Sequence, residues 1–280
     1  MLTLFHLFTY PPIIRGFLVL IVMASVIPIT GVWVLRMNLL PYRFMLMHGA
    51  LLGGVIALAL NISPVPMLIV ILISLILLAD FLTQRSGLDA GIITIFLMTT
   101  CLGTAMALIY STKIPAQNAL ILLWGNLFAI SLREAIAAIL FCLGLLLFSR
   151  TWHLQIQALI FDRDVAHTCG VDEKNLFRIL LMLTGVTIAF TMRIAGALLM
   201  DSLLLIPVIL ASLNSQSLAS IYKRSAYYGF CLGVTGFFTS LATDLPVGAS
   251  TSIIGALMLA VSMILRHIIF TAPLKNPFSS

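Results

Sequence analysis

An aspartate inside an apolar run is the feature of this sequence that most needs a chemical explanation. Asp201 lies in GALLMDSLLLIPVILAS, where Ser202 is its immediate polar neighbour. A carboxylate costs roughly 2.5–3.5 kcal/mol at the centre of a membrane span, and charges there usually pair with another group or face a polar cavity. We therefore expect Asp201 either to form an ion pair, with Arg133 or Arg193 as the partner, or to line a pathway.

Three further residues could take part in such a site. His48 lies in the apolar segment RFMLMHGALLGG and is either a cation ligand or a packed, hydrogen-bonded histidine. Pro207 leaves a backbone carbonyl near Leu203 without its donor, which predicts a kink in the helix, and broken helices are tolerated where they line a cavity. Asp244 precedes LPVG at a predicted mouth, where it is either a solvated loop carboxylate or a group that attracts cations.

The other acidic residues of the spans lie near predicted span ends. Asp80 and Asp89 flank a turn and are expected to cap helices. Glu134 adjoins Arg133, and we expect these two residues to form a local charge pair near the entrance of a span.

The composition identifies the fold class. Hydrophobic residues make up 61% of the chain and charged residues 9%, whereas a soluble domain carries about 25% charged residues. Apolar runs of about 20 residues, long enough to cross a hydrocarbon core, recur along the sequence. We predict an all-α polytopic integral membrane protein with about 8–9 transmembrane helices, and residues 1–280 as a single transmembrane domain. The net charge of +6 is scattered over loops and does not indicate a nucleic-acid partner.

Hydropathy and helix-breaking residues predict about nine spans, at 16–35, 44–61, 65–82, 90–110, 131–149, 176–192, 195–213, 226–243 and 249–266. One set of span ends carries most of the basic residues, namely Arg36, Arg43, Arg85, Arg150, Arg163, Lys174, Arg178, Lys223, Arg224, Arg266 and Lys275. The positive-inside rule places these ends in the cytoplasm, with the N-terminus outside and the C-terminus inside. MRIAG leaves very few residues for a turn between the sixth and seventh spans. If those two spans form one bent element, the count is eight.

The longest polar stretch, at about 150–175, is expected to lie in the cytoplasm. It contains an amphipathic segment from Ile156 to Cys169, with Phe161 and Val165 on one side and residues 162–164 exposed. Gly170 is expected to end this helix as a left-handed cap. Such a helix is either a contact for a partner protein or an interfacial helix that lies on lipid headgroups.

Five segments, in the same order along the chain, resemble the permease subunits of manganese, zinc and iron ABC importers. They are RSGLDAGIITIFLMTTCLGTAMALI, LLWGNLFAIS, FDRDVAHTCGVDEKNL, GALLMDSLLLIPVILAS and TDLPVGASTSIIGALMLAVSMI. The similarity extends from about Arg15 to Arg266, which is nearly the whole chain. Each segment is mostly apolar, so the order of the five carries the assignment.

The resemblance implies a dimer of two copies of this chain in a bacterial cytoplasmic membrane, around a central pathway for a divalent metal ion. An extracytoplasmic metal-binding protein would deliver the ion, and no permanently bound cofactor is implied. The sequence has no G-x-x-x-x-G-K-[ST] motif, so ATP is expected to act through separate ABC ATPase subunits. The segment similar to the family's ATPase-docking helix contains Phe161, Asp162, Ala166, Gly170 and Val171.

The second span departs from the family pattern, D-A-l-x-H-a-x-l-P-G. His48 and Gly53 match it, but Phe44 occupies the aspartate position and Leu52 the proline position. Asp201, in contrast, lies where the family has a small or apolar residue. A carboxylate and an imidazole suit manganese, zinc or ferrous iron. We therefore predict that Asp201 and His48 approach each other across the pathway and replace the family's pair of ligands on one helix.

Other functions must be weighed against this prediction. The lost aspartate would also fit an ABC permease for a different substrate, such as a chelated metal. An intramembrane enzyme needs clustered acids or acid–histidine pairs, and the sequence contains neither D-x-x-D nor H-E-x-x-H. A scaffold that binds an ATPase without transporting is a further alternative. We expect a transport subunit rather than an enzyme.

Overall fold

The computed structural model describes residues 10–114, 125, 127–215 and 217–271, with side chains as far as residue 266. Within these ranges all regular structure is helical, as predicted. The helices are α1 (Pro11–Val26), α2 (Pro28–Arg36), α3 (Leu40–Leu60), α4 (Pro64–Ser86), α5 (Ala90–Ser111), α6 (Leu132–Thr151), α7 (His153–Phe161), α8 (Arg163–Thr168), α9 (Glu173–Asn214), α10 (Leu218–Thr243) and α11 (Val247–Thr271), with a 3₁₀ turn at Leu127–Ala129.

Seven stretches of the described chain are long and apolar enough to cross a membrane. They are the α1–α2 unit, which bends at Pro28, together with α3, α4, α5, α6, α9 and the Val247–Arg266 part of α11. α9 is the central element, because 72% of its most apolar window is buried, compared with 22% for α6 and 28% for α4, α5 and α11.

α10 is as long as these spans, at 26 residues, although it is more polar. It begins eight residues before the predicted span 226–243, because Ser217 accepts a hydrogen bond from the N–H of Ser220 and caps its first turn. Its small residues permit close packing, since a Cβ on Gly229 would lie 2.0 Å from the carbonyl oxygen of Ala24. α10 therefore lies within the bundle and completes it.

The two ends of the bundle differ in charge. We call one the basic end, because it holds Arg36, Arg85, Arg150, Arg163, Lys174, Arg178, Lys223 and Arg224. At the opposite end, α1 and α6 begin side by side, where the guanidinium of Arg15 donates to the carbonyl of Ile130 at 2.9 Å. α7 and α8 lie at the basic end, since one cavity there is lined by Arg36, Phe161 and Leu218.

α9 covers 42 residues and consists of two helical parts that meet at Gly196, where φ is 82° and ψ is 168°. This conformation is essentially restricted to glycine. Gly125, itself at φ 71°, packs so closely on the break that a Cβ there would lie 2.2 Å from the carbonyl carbon of Ala195. We call residues 173–195 the first limb of α9 and residues 197–214 the second limb.

The first limb runs from the basic end to the opposite end. Arg178, near its start, forms an ion pair with Asp80 in the last turns of α4. Arg193, near its end, forms an ion pair with Glu134 in the first turn of α6.

The second limb returns to the basic end, parallel to α11. Leu199 packs on Gly248, in the first turn of α11, and the hydroxyls of Ser202 and Ser252 are 2.6 Å apart. Asn214, at the end of the limb, shares a cavity with Arg266. The two limbs are therefore antiparallel, and the chain reverses at Gly196.

The described chain consequently crosses the bundle nine times, through the α1–α2 unit, α3, α4, α5, α6, the two limbs of α9, α10 and α11. This agrees with the nine spans expected from hydropathy. The very short turn in MRIAG is achieved because one glycine reverses the helix direction.

Candidate functional site

Asp201 lies on the second limb of α9, little more than one helical turn after the break at Gly196. The predicted bend at Pro207 is not where the helix breaks, because among the residues of α9 only Gly196 has non-helical dihedral angles. Pro207 is buried in the second limb. The position of Asp201 is therefore set by the glycine that precedes it rather than by the proline that follows.

The ionic partner of Asp201 is Arg43, from the first turn of α3, whose Nη2 contacts the carboxylate Oδ1. Arg43 was expected among the cytoplasmic basic residues, but its side chain is 4% exposed, whereas that of Asp201 is 35% exposed. The predicted partners were wrong, because Arg193 is used by Glu134 at 3.1 Å. The sequence did contain a signal, because Arg43 lies next to the start of an apolar span.

His48 lies close enough to Asp201 to interact with it electrostatically. No hydrogen bond or ion pair joins the two side chains in the part of the chain that the structure describes. The Nδ1 of His48 lies 2.8 Å from the carbonyl oxygen of Phe44, one turn earlier on α3. Since a carbonyl oxygen can only accept, Nδ1 is the donor in this contact, and in a neutral ring Nε2 would then carry the lone pair.

Phe44, which the sequence analysis matched to the aspartate position of the family pattern, contacts the arginine of this site. The guanidinium carbon of Arg43 lies 4.5 Å from the centroid of its ring, within the range of a cation–π contact. Phe44 is itself 43% exposed. Arg43 is thus held between an aromatic face and a carboxylate, and Asp201, Phe44 and His48 lie towards the surface of the bundle.

The site as described is not a preformed metal centre. No group of three or more His, Cys, Asp or Glu side chains that could hold an ion occurs among the described residues. Asp201 and His48 supply one carboxylate and one imidazole, and an arginine already neutralises the carboxylate. The arrangement can bind a cation if Arg43 moves or if further ligands are added from outside this chain.

The acidic residues at the two ends of the bundle only partly have the roles predicted for them. Glu134 forms a capping box with Ser131 at the start of α6 and pairs with Arg193 rather than with Arg133. Asp89 caps α5 by accepting from the N–H of Gly91 at 2.7 Å, as predicted.

Asp80 was predicted to cap a helix and instead pairs with Arg178. Its Oδ2 accepts from Nε at 3.0 Å and from Nη2 at 2.5 Å. Asp244 lies in the α10–α11 turn, where it ends α10 at a left-handed φ of 56°. It is exposed at the opposite end of the bundle, at the position predicted for a mouth.

The predicted docking segment consists of two short helices rather than one. Asp162 is extended, at φ −165° and ψ 141°, and caps α8 by accepting from the N–H groups of Asp164 and Val165. The break leaves Phe161 at the end of α7 with 81% of its surface exposed. A polar residue that can cap a helix, directly before an acidic first turn, was the sequence signal for this break.

The other predicted docking residues hold the segment in shape. Ala166 is fully buried and its carbonyl accepts from the N–H of Val171 at 3.0 Å. Gly170 has φ 75° and ends α8 as predicted. Phe161 is therefore the most exposed large apolar side chain that α7 and α8 present at the basic end.

Comparison with known proteins identifies the family. Residues 9–266 match the family described as the ABC 3 transport family, which is far more than half of the chain. The chain belongs to the ABC 3 transport family. The resemblance to ABC importer permeases inferred from five short segments is thereby confirmed.

Two relatives of this ABC 3 family member show the range of similarity. It is 23% identical over 264 residues to the high-affinity zinc uptake system membrane protein ZnuB of Haemophilus influenzae, covering 92% of this chain and 97% of the relative. It is 28% identical over 181 residues to a probable metal transport system membrane protein of Chlamydia muridarum, covering 62% of this chain. In that second case the match spans 60% of the relative's length.

Two solved structures share the fold of this ABC 3 family member. PsaBC from Streptococcus pneumoniae, determined in complex with Fab, superposes with a TM-score of 0.83 at 19% identity and covers 94% of this chain and 95% of its own. An inward-facing putative metal-chelate type ABC transporter superposes with a TM-score of 0.69 at 19% identity, over 90% of this chain and 85% of its own.

Proposed function

We propose that this chain is the permease subunit of an ABC importer for a divalent transition-metal ion, manganese, zinc or iron. The observation that carries the proposal is the placement of Asp201, a partly exposed carboxylate between membrane-spanning helices and close to His48. A charge in a span rarely faces lipid and usually faces a bundle interior or a water-filled cavity. Relatives named for zinc uptake and for metal transport support this cargo.

The proposed assembly contains two copies of the chain, each a single transmembrane domain over residues 1–280, in a bacterial cytoplasmic membrane. The exposed side of Asp201 and His48 would face the pathway between the copies, with Asp244 at its mouth and Pro207 further along the second limb. The positive-inside rule would place the basic end in the cytoplasm, so that the N-terminus lies outside and the C-terminus inside. An extracytoplasmic metal-binding protein would deliver the ion at the opposite end.

ATP would act through separate ABC ATPase subunits that dock on α7 and α8. Phe161 is exposed at the junction of the two helices, and Asp162, Ala166, Gly170 and Val171 fix the shape of that junction. An exposed aromatic side chain on a rigid turn is well suited to fill a pocket in a partner. ATP binding and hydrolysis in the partner would then drive alternating access.

A permease for a chelated metal is the second candidate. Arg43 favours it, because a permanently charged guanidinium beside Asp201 repels a bare cation. The comparison that separates the two candidates is uptake of the free ion against uptake of the same ion in a stable complex.

The direct test is uptake by the purified complex. The chain would be co-expressed with an ABC ATPase encoded beside it, reconstituted in vesicles with the matching metal-binding protein, and assayed with radioactive zinc, manganese and iron. We expect uptake that requires ATP and the binding protein. A complex that assembles, hydrolyses ATP and moves none of these ions, free or chelated, would contradict the proposal.

Phe161→Ala tests how this chain couples to the ATPase, with Val165→Ala as the comparison variant. Because Phe161 is exposed, its removal leaves the bundle folded but is expected to abolish co-purification of the ATPase and uptake together. Val165→Ala, at a 40% exposed position in the first turn of α8, is expected to weaken both only in part.

A further inference from the structure

Arg43 places a fixed positive charge where a transported cation would have to bind. Its side chain is almost fully buried, whereas the carboxylate of Asp201 remains one-third exposed. The arginine therefore approaches Asp201 from inside the bundle and leaves the outer side of the acid accessible. An ion that arrives from the outer side meets an acid that is already neutralised.

The attachment of Arg43 to Asp201 is weaker than its burial suggests. The guanidinium contacts the carboxylate through Nη2, while its Nε is buried with no hydrogen-bond partner among the described residues. The strongest arginine–carboxylate pairs use two parallel hydrogen bonds. Among the described residues, the guanidinium also contacts the ring of Phe44, at 4.5 Å. Such a pair can open without breaking a network of other contacts.

We propose that Arg43 is a specificity-determining residue, an internal counter-ion that occupies Asp201 between transport events and prevents Asp201 and His48 from holding a divalent cation tightly. This inference rests on the proposed function, because it concerns the same site. A pathway must bind its ion well enough to admit it and weakly enough to release it. A guanidinium that competes for the acid provides that weak binding.

The test is zinc binding to the untagged full chain, in complex with its ATPase in lipid nanodiscs, measured by equilibrium dialysis of radioactive Zn²⁺. Arg43→Gln is expected to bind Zn²⁺ about tenfold or more tightly than the wild type, because a like charge beside the ion is removed from a medium of low effective dielectric constant. The Arg43→Gln/Asp201→Asn double variant is expected to return to wild-type affinity or weaker.

Arg193→Gln is the matched control, since it also removes an arginine that pairs with an acid at the end of a span. It is expected to leave Zn²⁺ affinity within about twofold of the wild type, because the added affinity belongs to Asp201 and His48 rather than to any freed acid. Equal tightening in both variants would overturn the proposal. Unchanged affinity in Arg43→Gln would overturn it as well.

Arg43→Lys keeps the inference testable if the glutamine variant does not fold. Lysine retains the charge but lacks the planar guanidinium that lies on Phe44, so it is expected to compete less well for Asp201. Its Zn²⁺ affinity should lie between those of the wild type and Arg43→Gln. Affinity equal to or weaker than that of the wild type contradicts the proposal.

Binding and uptake separate this inference from the proposed function. Zinc uptake by the wild type together with unchanged affinity in Arg43→Gln would contradict the counter-ion and leave the importer intact. Tighter binding in Arg43→Gln together with no uptake of any ion by the wild type would support the counter-ion and contradict the importer.

Discussion

Two acid–arginine pairs join α9 to the N-terminal helices, and they differ in the burial of the arginine and in the hydrogen bonds that it makes. Asp80 and Arg178 meet at the basic end, with side chains 37% and 42% exposed, through two hydrogen bonds to one carboxylate oxygen. Asp201 and Arg43 meet between spans, where the arginine is 4% exposed and contacts the acid through one nitrogen. The pair with two hydrogen bonds lies at the exposed end of the bundle, where an ion pair loses little solvation. The pair with a single contact lies between spans, where a charge is destabilising unless it is paired.

The difference indicates that the two pairs serve different purposes. A pair that only stabilised the fold would gain most from additional hydrogen bonds at the buried position, because an incompletely satisfied buried charge is destabilising. Among the described residues, the buried pair instead leaves the Nε of Arg43 without a hydrogen-bond partner, as is also the case for the Nε of Arg193, and it leaves one side of Asp201 open. Such an arrangement is typical of sites where stability is given up for function.

The largest expected effect comes from removing the acid of the buried pair alone. Asp201→Leu leaves the charge of Arg43 buried without a partner, and we expect it to lower the free energy of unfolding by about 3–5 kcal/mol. Thermal unfolding of the chain in detergent, followed by circular dichroism, measures this loss. Arg43→Met/Asp201→Leu removes both charges and is expected to recover most of it. Equal losses in the single and double variants would show that the pair carries no coupling.

The next effect concerns the glycine that positions Asp201. Gly196→Ala introduces a Cβ at φ 82°, and we expect it to cost about 1–3 kcal/mol, because this backbone region is strained for any residue with a side chain. The strain should weaken the contact between Asp201 and Arg43. It should leave the contact between Asp80 and Arg178 unchanged, because that pair lies at the other end of the first limb.

Gly103→Ala is the control for this substitution, since a Cβ at Gly103 in α5 meets no atom within 4 Å. It should unfold at the wild-type temperature or slightly above it. A Gly196→Ala variant as stable as Gly103→Ala would contradict the assignment of Gly196 as the point of reversal.

The smallest effect is expected at the exposed pair. Asp80→Asn should change the free energy of unfolding by about 0–1 kcal/mol, as is usual for solvent-exposed ion pairs. The change should shrink further in 1 M salt, where screening is strong. A loss as large as that of Asp201→Leu would remove the contrast between the two pairs.

The sequence predicted the parts of the fold that depend on local pattern. Apolar runs predicted the spans, Asp89 its cap, and Gly170 its left-handed turn. The break in α9 was anticipated from the shortness of MRIAG, although the bend was assigned to Pro207 as well. The span of α10 was predicted too short, because Lys223 and Arg224 lie outside the predicted span 226–243 and the helix extends through them to the basic end.

The sequence did not predict the partner of Asp201. Which arginine meets it depends on how α3 packs against the second limb of α9, and the sequence of either helix alone does not specify that packing. The family pattern begins at the position of Phe44 and assigns no role to Arg43, the residue before it. The association of Asp201 with His48 was predicted from residue chemistry, and the structure places the two near each other without a direct bond.

The most direct test of the account is ATP-dependent zinc uptake by a complex that carries Arg43→Gln/Asp201→Asn. This variant removes both charges together, so the fold is expected to persist, as unfolding in detergent would verify. We predict uptake below about a tenth of the wild-type rate, a change of roughly 1.4 kcal/mol or more in the barrier, while Asp80→Asn/Arg178→Gln transports normally. Wild-type uptake by the Arg43→Gln/Asp201→Asn complex would show that the buried pair is structural and lies off the pathway.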